Sequence, residues 1–335
     1  VIDRENIFQP TDQVVDIAQW PVHEDYEVFP VGARDKSLRV CPPESPYGFC
    51  LPNHRYLFKE AIKSAKDPRL ARHPDQYWAE IIAFKIGRLM KLPIPPAFVA
   101  INSETGEPGS IIEWFMGYEA EPEERFTPGG DHMQSLIEGY DREKGRLHNL
   151  ETIIKFSRAL SQKKLLNHSW QEYWGLCLCF DALIGNTDRH QENWGVIWND
   201  KDNSVRLTPF FDNGTSLGHE LFSKRINQHM SDDNSLRSYI AKGCHHMKWG
   251  IDSDGRLPLI DGVGSFCVKY PAITQLLIDR LSWEEEALNK ILSELTAFEI
   301  QSPLTVERAD FIYKLTTYRK LALLEKLEKV ANEVY

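Results

Sequence analysis

The sequence predicts an α+β chain in two lobes, a strand-rich first lobe carrying one long helix and a mainly helical second lobe. Two observations carry this. Short runs of β-branched and aromatic residues, punctuated by Pro and Gly, fill the first third of the chain. After residue 117 apolar residues fall mostly at helical spacing. At 335 residues the chain can bury a sizeable core as one large or two medium domains. The division is expected near residues 115–118, giving 1–116 and 117–335.

In order, residues 26–29, 37–40 and 55–59 read as short strands, with breaks at Pro42-Pro43 and Pro46-Tyr47-Gly48. A helix follows over 76–92, because Tyr77, Ile81, Phe84 and Leu89 recur near a 3.6-residue period. Pro93 and Pro95-Pro96 end it. Residues 98–101 and 110–115 are two further strands around a turn at 104–109. The acidic, Pro- and Gly-containing stretch 118–146 reads as loops with a short helix. Helices are then expected at 150–160 and 170–184, a hairpin at 194–198 and 205–211, and helices at 235–242, 271–281, 283–298 and 306–334.

Bulk properties narrow the function classes. The net charge of −10, with no dense Lys/Arg block, argues against direct nucleic-acid binding. No apolar run is long enough for a membrane span, and the first residues lack a basic-then-apolar leader pattern. Val1 stands where a Met would start a chain, so the sequence reads as trimmed or as part of a longer one. Six cysteines in a chain this long do not make a disulfide framework, which predicts a reducing, cytoplasmic setting, short of delivery elsewhere without a leader. Cys244-His245-His246 suggests zinc, but no second ligand pair stands at finger spacing, so a structural reading is preferred.

The richest stretch is Gly185-Asn186-Thr187-Asp188-Arg189-His190-Gln191-Glu192-Asn193-Trp194-Gly195, followed by Pro209-Phe210-Phe211-Asp212-Asn213-Gly214. An Asp, an Asn five positions on, a strand-like run and a second Asp is the order of oxygen donors needed to hold a hydroxyl, magnesium and a triphosphate. A bare Asp-x4-Asn is common in capped turns; the surrounding Gly, Arg, His and Phe-Asp-Asn-Gly make phosphoryl transfer the better reading. Asp188 is then the catalytic carboxylate, Asn193 and Asp212 the magnesium ligands, and His190 a loop-steadying member of the catalytic group. Arg189 would pair with a carboxylate or phosphate.

In the first lobe Lys59, ending the strand Tyr56-Leu57-Phe58, is the candidate phosphate lysine. A lone lysine more often ends an edge strand in water; its position ahead of the long helix favours the phosphate role. Glu80 on that helix would hold its ammonium group. Gly32, Ala33, Arg34 and Lys36 form a candidate phosphate-covering loop, and Glu113 and Phe115 a hinge whose backbone would pair with adenine. Whether Ser37, Thr215 or Ser216 takes phosphate is left open by the sequence. The chain as a whole then reads as a bilobal protein-kinase-like fold using ATP and Mg2+.

At these residues the chain resembles the HipA-like kinases, bacterial serine/threonine kinases known as toxins of toxin–antitoxin pairs. The resemblance rests on Gly185-Asn186-Thr187-Asp188-Arg189-His190-x-x-Asn193-x-Gly195 and Phe211-Asp212, and less strongly on Gly32-Ala33-x-x-Lys36 and Leu57-Phe58-Lys59. It implies a Ser/Thr protein acceptor, Mg-ATP, Asp188 as base, an antitoxin protein as partner, and autophosphorylation. Three departures stand out. Long members carry an extra N-terminal subdomain, for which this sequence is expected to be too short, so it resembles the compact type. Phe29-Pro30-Val31, without a serine, precede Gly32, although Ser37 lies close by. Asp-Arg-His-x-x-Asn also resembles the catalytic loop of phosphoinositide kinases, which leaves a lipid or small-molecule acceptor open. A pseudokinase that uses the fold only for binding is a further alternative.

Overall fold

The computed structural model describes residues 7–23, 36–61, 72–118 and 123–334. The expected strand at 26–29 and the loop residues Gly32, Ala33 and Arg34 lie outside them.

The first third is a five-stranded sheet of β1 (Val15–Asp16), β2 (Lys36–Val40), β3 (Arg55–Glu60), β4 (Ala97–Asn102) and β5 (Glu107–Glu113), in the order β1-β4-β5-β3-β2. β1 joins β4 in parallel; the other pairs are antiparallel. Alternation along β3 sorts its side chains. Tyr56 and Phe58 enter a small core on one face with Trp20, Phe49, Phe98 and Ile111. Leu57 enters the large core on the other face, beneath helix α1 (Trp78–Leu89). Lys59 shares Leu57's parity, so the strand period alone aims its ammonium group at α1. The sequence does not reveal the cover on the far face. Residues around 15–20 and 41–50 supply it, so the sheet is buried on both sides.

A second, three-stranded sheet contains β6 (Glu124–Pro128), β7 (Gly195–Asn199) and β8 (Ser204–Leu207). The hairpin is where the sequence places it, but β8 stops at Leu207, ahead of Pro209, which has no N–H for the ladder. β6 corrects the expectation of loops and a short helix, without a strand, in 118–146. The short helix there is α2 (Gly129–Leu136).

The remaining helices are α3 (Leu150–Gln162), α4 (Trp170–Ile184), α5 (Ser223–Ser231), α6 (Asp233–Ala241), α7 (Leu259–Lys269), α8 (Thr274–Leu281), α9 (Glu285–Leu295) and α10 (Val306–Val334). A 3-10 turn at Pro271–Ile273 precedes α8, so the helix expected at 271–281 is in two parts. α5 and α7 were not expected. α4 is buried on almost every side and forms the axis of this half; α7, α8 and α10 pack against it. Its start is a Ser-x-x-Glu box, with Ser169 accepting from the Glu172 N–H. It ends at Gly185 in the left-handed region (φ 70), where a side chain would be strained. That reversal launches the Asp188 loop. Among the described residues no helix is long and apolar enough to cross a membrane.

Candidate active site

Three charged groups from distant parts of the chain meet in one cleft. Lys59 Nζ lies 2.8 Å from Glu80 Oε1 of α1 and 3.0 Å from Asp212 Oδ1. The other Glu80 oxygen accepts the Asn213 N–H at 3.0 Å. Lys59 and Glu80 are nearly inaccessible, whereas 31% of the Asp212 side chain is exposed. The cation is therefore held from behind, and one carboxylate faces outward. Asp212 also has a left-handed backbone (φ 57). Such a conformation costs a non-glycine residue about 1–2 kcal/mol and persists where the surroundings impose it, commonly at functional sites. Lys36 stands directly across from Lys59 in the β2–β3 register. Directly opposed side chains share a face, and two cations there favour an anion between them.

The Asp188 loop is built around Arg189. This guanidinium is 1% exposed and forks onto Asp181 of α4, with Nε to Oδ2 at 3.0 Å and Nη2 to Oδ1 at 2.7 Å. It also donates to the Asn193 carbonyl at 2.9 Å, to the Phe211 carbonyl, and to Asn213 Oδ1 at 3.0 Å. Burial opposes the Arg189 cation, yet the adjoining Asp181 carboxylate outweighs it and holds the guanidinium above its ordinary value. One buried side chain thus ties together α4, the Asp188 loop and the Asp212 segment. Burying such a charge is tolerable only with this degree of pairing.

Within the loop, Asp188 is half-buried and its backbone is fixed by three hydrogen bonds, one of them from the His190 N–H to its carbonyl at 2.8 Å. Its N–H donates to Asn186 Oδ1 at 3.0 Å, and its carbonyl accepts Asn193 Nδ2 at 2.7 Å. The latter commits the amide nitrogen of Asn193 and leaves its oxygen as the donor atom for a ligand. His190 accepts the Glu192 N–H at Nδ1, 3.1 Å, which stiffens the turn. A cavity of about 670 Å3 opens beside the loop, lined in part by Arg142, Lys144, His190, Glu192 and His246. Glu113 and Phe115 follow β5. The Glu113 N–H donates to the Pro96 carbonyl, and its carboxylate accepts Tyr56 and Tyr118 hydroxyls at 3.1 and 3.0 Å. The Phe115 ring packs 5.0 Å from that of Phe211.

Beneath the loop, His148 accepts Trp194 Nε1 at 3.1 Å, and His245 is fully buried. Burial drives both imidazoles toward the neutral form, His148 down to about 3 and His245 to about 4. Cys244 is half-exposed and, like the other five cysteines, unbridged. No group of three or more His, Cys, Asp or Glu side chains that would hold a metal ion occurs among the described residues.

The sequence reading missed Asp181 as the partner of Arg189. A lone acid in the apolar run Leu178-Cys179-Phe180-Asp181-Ala182-Leu183 was the available signal, since a buried carboxylate needs a partner. It also missed Asn213 as a link between Arg189 and Glu80, and Thr215 as a hydrogen-bond donor to Asp188.

Strand lysine, helix glutamate, loop aspartate and post-hairpin aspartate on a sheet-plus-helices frame define a kinase-like fold. The crystal structure of the Helicobacter pylori proinflammatory kinase CtkA is similar throughout, with a TM-score of 0.71 over 96% of this chain and 99% of that one at 15% identity. Two structures of the Golgi casein kinase align more loosely, at 11% identity each. One, with Mn/ADP bound, has a TM-score of 0.41 over 91% of this chain and 73% of that one; the other has 0.42 over 94% and 73%. The HipA-like C-terminal domain family matches residues 47–253, well over half the chain, and the chain belongs to it. No curated protein matches the sequence.

Proposed function

We propose that this protein is an ATP-dependent kinase that transfers the γ-phosphate to Ser or Thr of a protein. The meeting of Lys59, Glu80 and Asp212, from a strand, a helix and a segment more than a hundred residues on, carries the reading. A strand cation fixed by a helix carboxylate is what positions α and β phosphates. Asp188 orients the acceptor hydroxyl and takes its proton as the new P–O bond forms and the bond to the leaving ADP breaks.

The residues fit a magnesium ion. Asp212 offers a partly exposed carboxylate and Asn193 an amide oxygen, both hard donors. Magnesium in such sites takes only one or two protein ligands and completes its shell with phosphate and water. When bound, it would offset the charge on the phosphates. Residues 1–116 would cover the nucleotide and 117–335 would carry the Asp188 loop, with Phe115 at the junction and the acceptor entering by the cavity at His190.

The test is transfer of labelled phosphate from Mg-ATP to myelin basic protein, with phosphoinositide vesicles in parallel. Wild type should label protein, and Asp188→Asn should not. Equal labelling by the two refutes the assignment. Labelling of lipid alone moves the acceptor to that class.

A further inference from the structure

The carboxylate of Asp188 has a hydrogen-bond partner that the proposed chemistry does not use. Thr215 Oγ1 donates to Asp188 Oδ2 at 3.2 Å, and no other described residue donates to that carboxylate. The three remaining bonds at Asp188, to Asn186 and from Asn193 and the His190 N–H, hold its backbone and do not fix the side chain about χ1 and χ2. Thr215 itself is seated from both sides. Gln76 Nε2 donates to the Gly214 carbonyl at 3.3 Å, Ser216 Oγ to the Asn213 carbonyl at 2.6 Å, and the Leu217 N–H to the Ile184 carbonyl at 2.8 Å. Asn213 is in turn held by Glu80 and Arg189. The hydroxyl is thus an anchored donor.

We propose that Thr215 is a positioning residue for the phosphoryl transfer, fixing the Asp188 carboxylate so that Oδ2 is occupied and Oδ1 is presented to the acceptor hydroxyl. This rests on the kinase reading above. The same short segment carries Asp212, three residues before Thr215, so the loop that would receive the cation also sets the orientation of the base. A hydroxyl–carboxylate bond between neutral donor and charged acceptor is among the stronger side-chain hydrogen bonds. Reacting groups out of place by an ångström lose large factors in rate.

The experiment is steady-state transfer to myelin basic protein by wild type, Thr215→Val, Thr215→Ala and Thr215→Ser. Thermal midpoints and ATP binding are measured alongside, and phosphopeptides are mapped after incubation with Mg-ATP. Valine keeps the shape and removes the hydroxyl; alanine guards against a packing artefact from valine. Thr215→Val and Thr215→Ala should lose about 10-fold to 100-fold in kcat with ATP affinity unchanged, and Thr215→Ser should regain most of it. Wild-type kcat in the valine or alanine variant overturns the proposal, as does a serine variant no better than either. Phosphate found on Thr215 makes it an acceptor and overturns the positioning role. A wild-type protein that transfers no phosphate overturns the kinase reading and this inference with it, whereas an active wild type isolates the test to Thr215.

Discussion

Replacing Arg189 with methionine should destabilise the whole protein and not merely its loop. The side chain is 1% exposed, Asp181 is fully buried, and the two form a forked ion pair. Taking away the guanidinium leaves an unpaired carboxylate in the interior, a change that costs about 3–5 kcal/mol. Two backbone carbonyls and the Asn213 side chain also lose their donor. At roughly 2 °C per kcal/mol for a chain of this size, the thermal midpoint should fall by about 6–10 °C. Asp181→Leu alone should cost a similar amount, because it strands the cation instead. The double variant Asp181→Leu/Arg189→Met should recover part of the loss, since neither buried charge remains. Urea unfolding of the four proteins measures this, with an expected coupling of about 2 kcal/mol. Single losses that sum to the double within about 0.5 kcal/mol would refute the view of Arg189 as partner of Asp181.

Four other predictions concern the cleft, the loop and the acid limit. Lys59→Met should weaken ATP binding by about 30-fold or more, because one partner of a buried charge set is gone, and isothermal titration reads it. Asp212→Asn should weaken binding in the presence of magnesium more than Asp188→Asn does; equal effects would count against Asp212 as a cation ligand. Gly185→Ala forces a side chain into a left-handed backbone and against the Arg319 guanidinium. It should lower stability by about 1–2 kcal/mol and kcat with it; an unchanged melting curve would contradict the strain argument. Stability should also fall with acid. His148 and His245 have folded values below the unfolded one, so their contribution is complete above pH 6.5 and is lost as pH falls toward about 3 and about 4. At pH 5 each should cost about 2 kcal/mol relative to pH 8, and the urea midpoint should drop accordingly; His245→Phe should flatten that slope.

What could be read from the sequence follows the range of the interactions. Asp188, Asn193 and Asp212 stand out because their spacing is local and their residue types match one chemistry. Lys59 and Glu80 were placed by element type, a strand end and a helix middle, and the period-2 alternation of β3 explains why the lysine faces the helix. Asp181 did not stand out, because the chain must reverse at Gly185 before Arg189 can reach back to it. β6 depends on pairing with β7, about seventy residues on, and its own sequence is only five residues long. α5 is short and polar, and α7 carries Gly262 and Gly264, which blur helical periodicity. The cover on the far face of the sheet is irregular chain, which no periodicity announces.

The end of α4 has a further implication. Arg319 of α10 reaches across the bare Cα of Gly185 and donates to the Ile184 carbonyl at 2.9 Å, closing the last turn of the helix from which the Asp188 loop departs. α10 lies wholly beyond residues 47–253, the part that defines the family. The contacts that hold the loop's point of departure therefore extend past the part that sequence kinship marks out. A fragment cut at that boundary would keep Lys59, Glu80, Asp188, Asn193 and Asp212 and still lack the brace that holds the loop's point of departure.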